Sequence, residues 1–202
     1  MKIRMKMFAA VCAACVMMAA AALTSFAGTV NPVTPGQQGR LPAFRYTDEA
    51  PYMNTILDYM TATRGQYYDA GDVMIPNFII MKTDESNPQD IKVWGNFWIN
   101  NYDLQGDNLL CKNGGEFPGL LHLRKTPAGY AVIGEDMVGD GSSSQPDSRR
   151  IFGVAEDLMR AYQNQDLVRE QNRTNTIRKY VLQNNLSIST YQDYGWDKVQ
   201  VR

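Results

Sequence analysis

The chain has 202 residues, with 20 basic against 21 acidic side chains, one histidine and three cysteines. A net charge of −1 offers no basic field to nucleic acid or to an anionic membrane surface, and the cysteines are too few for a disulfide scaffold. Stability must come from a hydrophobic core, for which this length suffices.

At the start, Lys2, Arg4 and Lys6 form a basic region, Met7 to Leu23 an apolar run, and Ser25-Phe26-Ala27 a small-x-small pattern before Gly28. This order predicts a secretory signal peptide over residues 1–27. Cys12 and Cys15 sit inside the apolar run, in no lipidation context. Removing the leader takes away three basic and no acidic residues, which lowers the 20 basic side chains to 17 against 21 acidic ones, a net charge near −4, and leaves Cys111 as the one thiol. The expected location is secreted or extracytoplasmic, in the cell envelope. No membrane span is expected after processing, and no nucleic-acid partner.

Residues 28–46 carry Pro32, Pro35 and Pro42 with three glycines, and predict a flexible lead. A single domain with a helical extension is expected over 47–202. Thr47-Asp48-Glu49-Ala50-Pro51 predicts a capped helix start. Tyr52, Met53, Ile56, Leu57, Tyr59 and Met60 recur at helical spacing up to a stop near Arg64-Gly65. Strands are expected over Asp72–Lys82, where Pro76 implies an edge or a bulge, and over Asp90–Tyr102. A third is expected from Leu109 to Lys125, interrupted at Gly114-Gly115, and a fourth over Tyr130–Val138. Gly139 to Asp147 reads as a loop. Ile151, Val154, Leu158, Met159 and Tyr162 then face one side of a helix, and Asp166 begins another, whose Arg169–Thr176 stretch is polar and expected to be solvated. The tail holds Tyr191, Tyr194 and Trp196, enough aromatic surface to dock rather than hang free.

Alternation in the second strand puts Ile91, Val93, Gly95, Phe97 and Ile99 on one face, toward a core. Lys92, Trp94, Asn96, Trp98 and Asn100 share the other, a mixture of rings and amides that suits the wall of a partly wet pocket or a surface packed under helices. The candidate ligand-binding residues are Trp94, Asn96, Trp98, His122, Tyr130 and Glu135. His122 lacks the ligand cluster of a zinc site, and neither a nucleophile elbow nor a thiol motif accompanies it. Cys111 reads as a small hydrophobe. Glu135-Asp136, Asp140 and Asp147 read as solvated charge rather than a calcium loop.

The order of one helix (Tyr52–Thr63), paired strands (Asp72–Lys82 and Asp90–Tyr102), two further strands (Leu109–Lys125 and Tyr130–Val138) and then helices resembles the nuclear transport factor 2-like superfamily of cone-shaped α+β folds. The Trp94-Gly95-Asn96-Phe97-Trp98 strand and the Tyr130–Asp136 segment are similar to the curved strands of that group. A cystatin-like sheet wrapped on one helix fits the order nearly as well. The resemblance implies an α+β fold: an N-terminal helix against a curved four-stranded antiparallel sheet, followed by C-terminal helices. It also implies either a non-catalytic ligand-binding or association domain, or a small cofactor-free acid–base enzyme pairing His122 with Glu135 or Asp136. No cofactor and no metal are expected. The expected partner is an apolar or sugar-like small molecule or another envelope protein, with a homodimer as a further assembly.

Overall fold

The computed structural model describes residues 41–202. The expected signal peptide and most of the lead lie outside the described residues. No helix among the described residues is long and apolar enough to cross a membrane.

The fold is built on one long strand, β2 (Ile91–Gln105), to which three others pair directly. One edge of β2 runs antiparallel along β1 (Val73–Asp84). The other edge is shared. Its first half pairs with β4 (Pro118–Thr126) and its second half with β3 (Asn108–Gly115), both antiparallel. Beyond β4 lies β5 (Gly129–Met137), and beyond β3 lie β6 (Thr190–Asp193) and β7 (Val199–Gln200). β6 runs parallel to β3, which makes the sheet mixed.

Two glycines let neighbouring strands approach β2 and each other closely. A Cβ on Gly114 would collide with the Ile99 carbonyl and on Gly95 would stand 2.8 Å from the Ile79 carbonyl oxygen. Gly95 also lies beside the register irregularity of β1 between Ile80 and Lys82. The interruption expected at Gly114-Gly115 therefore separates two strands. Pro76 lies in β1, whose outer side carries no strand partner.

Among the described residues, four α-helices accompany the sheet. α1 (Met53–Thr63) begins later than expected, and Tyr52 at its N-cap supplies no capping side chain. Such a cap is worth about 1 kcal/mol. Burial of Met53, Ile56, Leu57 and Met60 contributes about 1.5–3 kcal/mol for each side chain, so packing and not capping sets this helix. Thr47 and Glu49 instead meet α4, through Gln183 and Lys179. The end of the lead is part of the core rather than flexible. The Asn54 amide accepts from the Tyr46 N–H and donates to the Tyr46 carbonyl, Phe44 is buried, and the Tyr180 hydroxyl donates to the Pro42 carbonyl at 2.8 Å.

The remaining helices lie between β5 and β6: α2 (Ser144–Phe152), α3 (Glu156–Gln163) and α4 (Asp166–Gln183). The expected Gly139–Asp147 loop is largely a helical turn, closed by the Gly139 N–H donating to Asp147. The single helix expected around Val154 is broken at Gly153, which leaves Val154 exposed. The expected four-stranded antiparallel sheet with terminal helices is thus a seven-stranded mixed sheet, and the chain returns to it after the helices. β6 pairs with a strand some eighty residues earlier in the chain, so local alternation over four residues could not announce it.

Two apolar clusters hold the layers together. The larger joins α1 to Val93, Phe97, Leu121 and Leu123 of the sheet, to Ile177, Tyr180 and Val181 of α4, and to Tyr191 and Val201. The smaller seats Trp94 against Ile151, Phe152 and Leu158. α4 also covers the outer edge of β1. The Asn172 amide donates to Asn77 Oδ1 at 2.6 Å and to the Phe78 carbonyl at 3.1 Å, and Asn77 donates to the Arg169 carbonyl. An edge so covered cannot recruit a further strand.

Candidate functional site

A groove of about 290 Å³ opens between the middle of β2, the end of β3, the first half of α4 and the turn after β6. Asn77, Trp98 and Asn100 come from the paired strands, Cys111 to Gly114 from β3, Arg169, Glu170 and Arg173 from α4, and Asp193 and Tyr194 from the end of β6. The volume is at the lower end for a small-molecule cleft.

Its polar wall is built around Arg173. This side chain is 8% exposed and donates twice to Asp193, at 2.8 and 2.6 Å, and once to the Tyr102 hydroxyl at 2.8 Å. Its guanidinium also lies over the Tyr191 ring, 4.8 Å from the centroid. Burial opposes the charge of Arg173, but the bonds to Asp193 and Tyr102 outweigh that and hold its pKa above the usual arginine value. Arg173 in turn holds the Asp193 carboxyl below the ordinary aspartate range. The solvated face expected over Arg169–Thr176 is therefore corrected: its central arginine is buried, because Asp193 and two tyrosines supply partners that the helix itself lacks.

Arg169 lies over the Trp98 ring at 5.3 Å and pairs with Asp166 and Glu170, each at 3.2 Å. The Lys112 ammonium donates to the Ala70 carbonyl. Both arginines at the groove are thus ion-paired, whereas Lys112 is exposed and meets only a backbone carbonyl. Tyr194, 86% exposed, stands as an aromatic wall at its mouth. Cys111 borders the groove, and burial pushes its thiol up to about 11, so it is protonated at neutral pH.

The structure disperses the candidate residues. Trp98 lines the groove. Asn96 lies two residues before it in β2, fully buried, and its amide donates to Gln165 at 2.6 Å and to Glu116 at 3.2 Å. Trp94 is packed under α2 and α3, its indole N–H donating to the Ile151 carbonyl at 3.1 Å. Tyr130 packs edge-to-face on Tyr52, 5.7 Å away, beside the main core. His122 Nδ1 lies 2.6 Å from Asp90, which ties the start of β2 to β4.

Glu135 and His122 do not meet. Glu135 is in register with Leu121, the neighbour of His122, so the two side chains leave opposite faces of the sheet. Glu135 pairs instead with Arg64 of α1, and Asp136 with Arg150 of α2. The acid–base pairing of His122 with Glu135 is therefore not formed. Among the described residues, no group of three or more His, Cys, Asp or Glu side chains could hold a metal ion.

Two buried polar atoms have no protein partner among the described residues: Asn96 Oδ1 and Trp98 Nε1. Leaving such a group unpaired costs about 1–3 kcal/mol. Sequence reasoning missed Asn77, Asn113, Arg169, Arg173, Asp193 and Tyr194 as groove residues. The aromatic tail was the one available signal, but of the three rings expected to dock only Tyr191 is buried, while Tyr194 and Trp196 are exposed.

No family model, no curated protein and no solved structure matches the chain.

Proposed function

We propose that this protein is a secreted or cell-envelope binding module, acting without catalysis, that holds a sugar-like ligand in the groove between β2, β3, α4 and the turn after β6. The observation that carries this reading is the composition of the groove. Two aromatic rings, Trp98 and Tyr194, stand among amide and carboxylate side chains whose neighbouring arginines are already ion-paired. Rings offer apolar faces to the C–H side of a sugar, and the amides offer donors and acceptors to its hydroxyls. An ion seeking either groove arginine would have to break an existing pair, which favours an uncharged ligand there. The groove lining carries no histidine, since His122 is bonded to Asp90 elsewhere, and its Cys111 thiol is protonated, which supports binding over catalysis in the groove. The basic region, apolar run and Ser25-Phe26-Ala27 pattern support the location.

The test is calorimetric titration of the processed protein with D-glucose, D-galactose, D-mannose and N-acetyl-D-glucosamine and their disaccharides. Saturable binding of at least one supports the reading, and binding of none overturns it. The location is checked by sequencing the exported product, expected to begin at Gly28.

A second reading, association with another envelope protein or with a second copy, is favoured by the exposure of Tyr194 and of Trp196, which is 75% exposed. Sedimentation of the Trp196→Ser variant tests it, since a self-associated species should dissociate.

A further inference from the structure

The groove reading does not account for the two unpartnered atoms beneath it. Asn96 and Trp98 alternate with Phe97 along β2, so both leave the same face of the strand, within about 7 Å of each other along the chain. Asn96 Oδ1 is an acceptor without a donor, and Trp98 Nε1–H a donor without an acceptor, among the described residues. The orientation of the Asn96 amide is set by its surroundings. Its NH2 group faces Glu116, whose carboxylate can only accept, so turning the amide over would set two acceptors against each other. The orphaned acceptor therefore belongs to the built arrangement.

Both atoms lie under the start of α4. Gln165 accepts from Asn96, and Arg169, one turn further along α4, lies over the Trp98 ring. The cover is lightly held. Arg169 is fixed by ion pairs to Asp166 and Glu170, whose own side chains are exposed. The same turn leaves Leu167 and Val168 exposed, so few apolar contacts anchor it.

We propose that Asn96 Oδ1 and Trp98 Nε1–H form the specificity-determining pair of the site, reading two neighbouring hydroxyls of a sugar once the Gln165 and Arg169 side chains move aside. This inference rests on the sugar-binding reading above. One hydroxyl donates to Asn96, and the oxygen of its neighbour accepts from Trp98. Each protein atom then gains the partner it lacks.

The test follows the three indole N–H resonances in two-dimensional 1H–15N spectra of the protein. They are assigned with Trp94→Phe, Trp98→Phe and Trp196→Phe, and titrated with the same sugars and with their 2-deoxy and 3-deoxy forms. A bound sugar is expected to shift the Trp98 resonance downfield while that of Trp94, already bonded to Ile151, stays in place. Trp98→Phe keeps a ring and deletes the N–H, and should lower affinity at least ten-fold. One deoxy sugar should bind ten-fold more weakly than its parent to the unaltered protein, and equally to Trp98→Phe. If Trp98→Phe does not fold, the Trp98 shift in the unaltered protein decides. A sugar that binds while the Trp98 resonance stays still, or with unchanged affinity for folded Trp98→Phe, overturns this assignment and leaves the binding reading standing. Failure of every sugar to bind overturns both.

Discussion

Arg173 and Asp193 are joined by two parallel hydrogen bonds, at 2.8 and 2.6 Å, that lock α4 to β6 across twenty residues of chain. Both residues also line the groove, so one pair serves the fold and the site. Asp193→Ala leaves a buried guanidinium with only the Tyr102 hydroxyl as a side-chain hydrogen-bond partner. Loss of a fully buried pair costs about 3–5 kcal/mol. The carboxylate is 44% exposed, so about 2 kcal/mol is the expected loss, read as a lower urea midpoint.

The same pair sets an acid limit. Arg173 holds the Asp193 carboxyl below its ordinary value of 3.8. A depressed carboxyl pKa stabilises the fold above the unfolded value, and that stabilisation is lost as pH falls through the folded value. Stability should therefore drop as pH falls below about 4. Urea titrations between pH 6 and pH 2 should show a shallower drop for Asp193→Asn, which has no proton to gain there.

Tyr194→Ala separates binding from folding. The ring is almost wholly exposed, so its removal should leave the melting temperature within a degree or so. It stands at the mouth of the groove, and its loss should weaken sugar binding about ten-fold, as expected for an aromatic contact worth roughly 1–1.5 kcal/mol. Calorimetry and a thermal melt on the same sample check both halves.

Trp94 gives the opposite result. It is buried in the smaller core, and its N–H satisfies the Ile151 carbonyl. Trp94→Ala should cost about 3–5 kcal/mol of stability. Trp94→Phe should cost about 1–3 kcal/mol, through the carbonyl left unpaired. Sugar affinity of the folded Trp94→Phe protein should be unchanged, as calorimetry would show.

Cys111 should react slowly. Burial raises its thiol to about 11, so little thiolate exists at pH 8. Iodoacetamide labelling, followed at the Cys111 peptide by mass spectrometry, should accelerate strongly in urea.

Much of the sheet was legible because its signals are local. β2 alternates over fifteen residues, and its buried face of Ile91, Val93, Phe97 and Ile99 is the one that alternation assigns. The glycine interruption after β3 was legible for the same reason. What could not be read depends on distance. β6 is four residues long and pairs with a strand far back in the sequence, and Arg173 reads as polar surface until Asp193 folds back to it. The site was legible in part: alternation placed Trp98 and Asn96 on one face, but nothing local told that Trp94 would lie under α2 while Trp98 would border a groove. That difference is set by where Ile151 and Arg169 come to rest.

The parallel pairing of β6 with β3 has a consequence for how the chain is made. Tyr191 and Val201, both fully buried, come after all four α-helices in chain order. While a ribosome still holds those residues, the core lacks two of its members and Arg173 lacks its counter-ion. Folding of this domain cannot finish until the β6 segment and Val201 are free to join it.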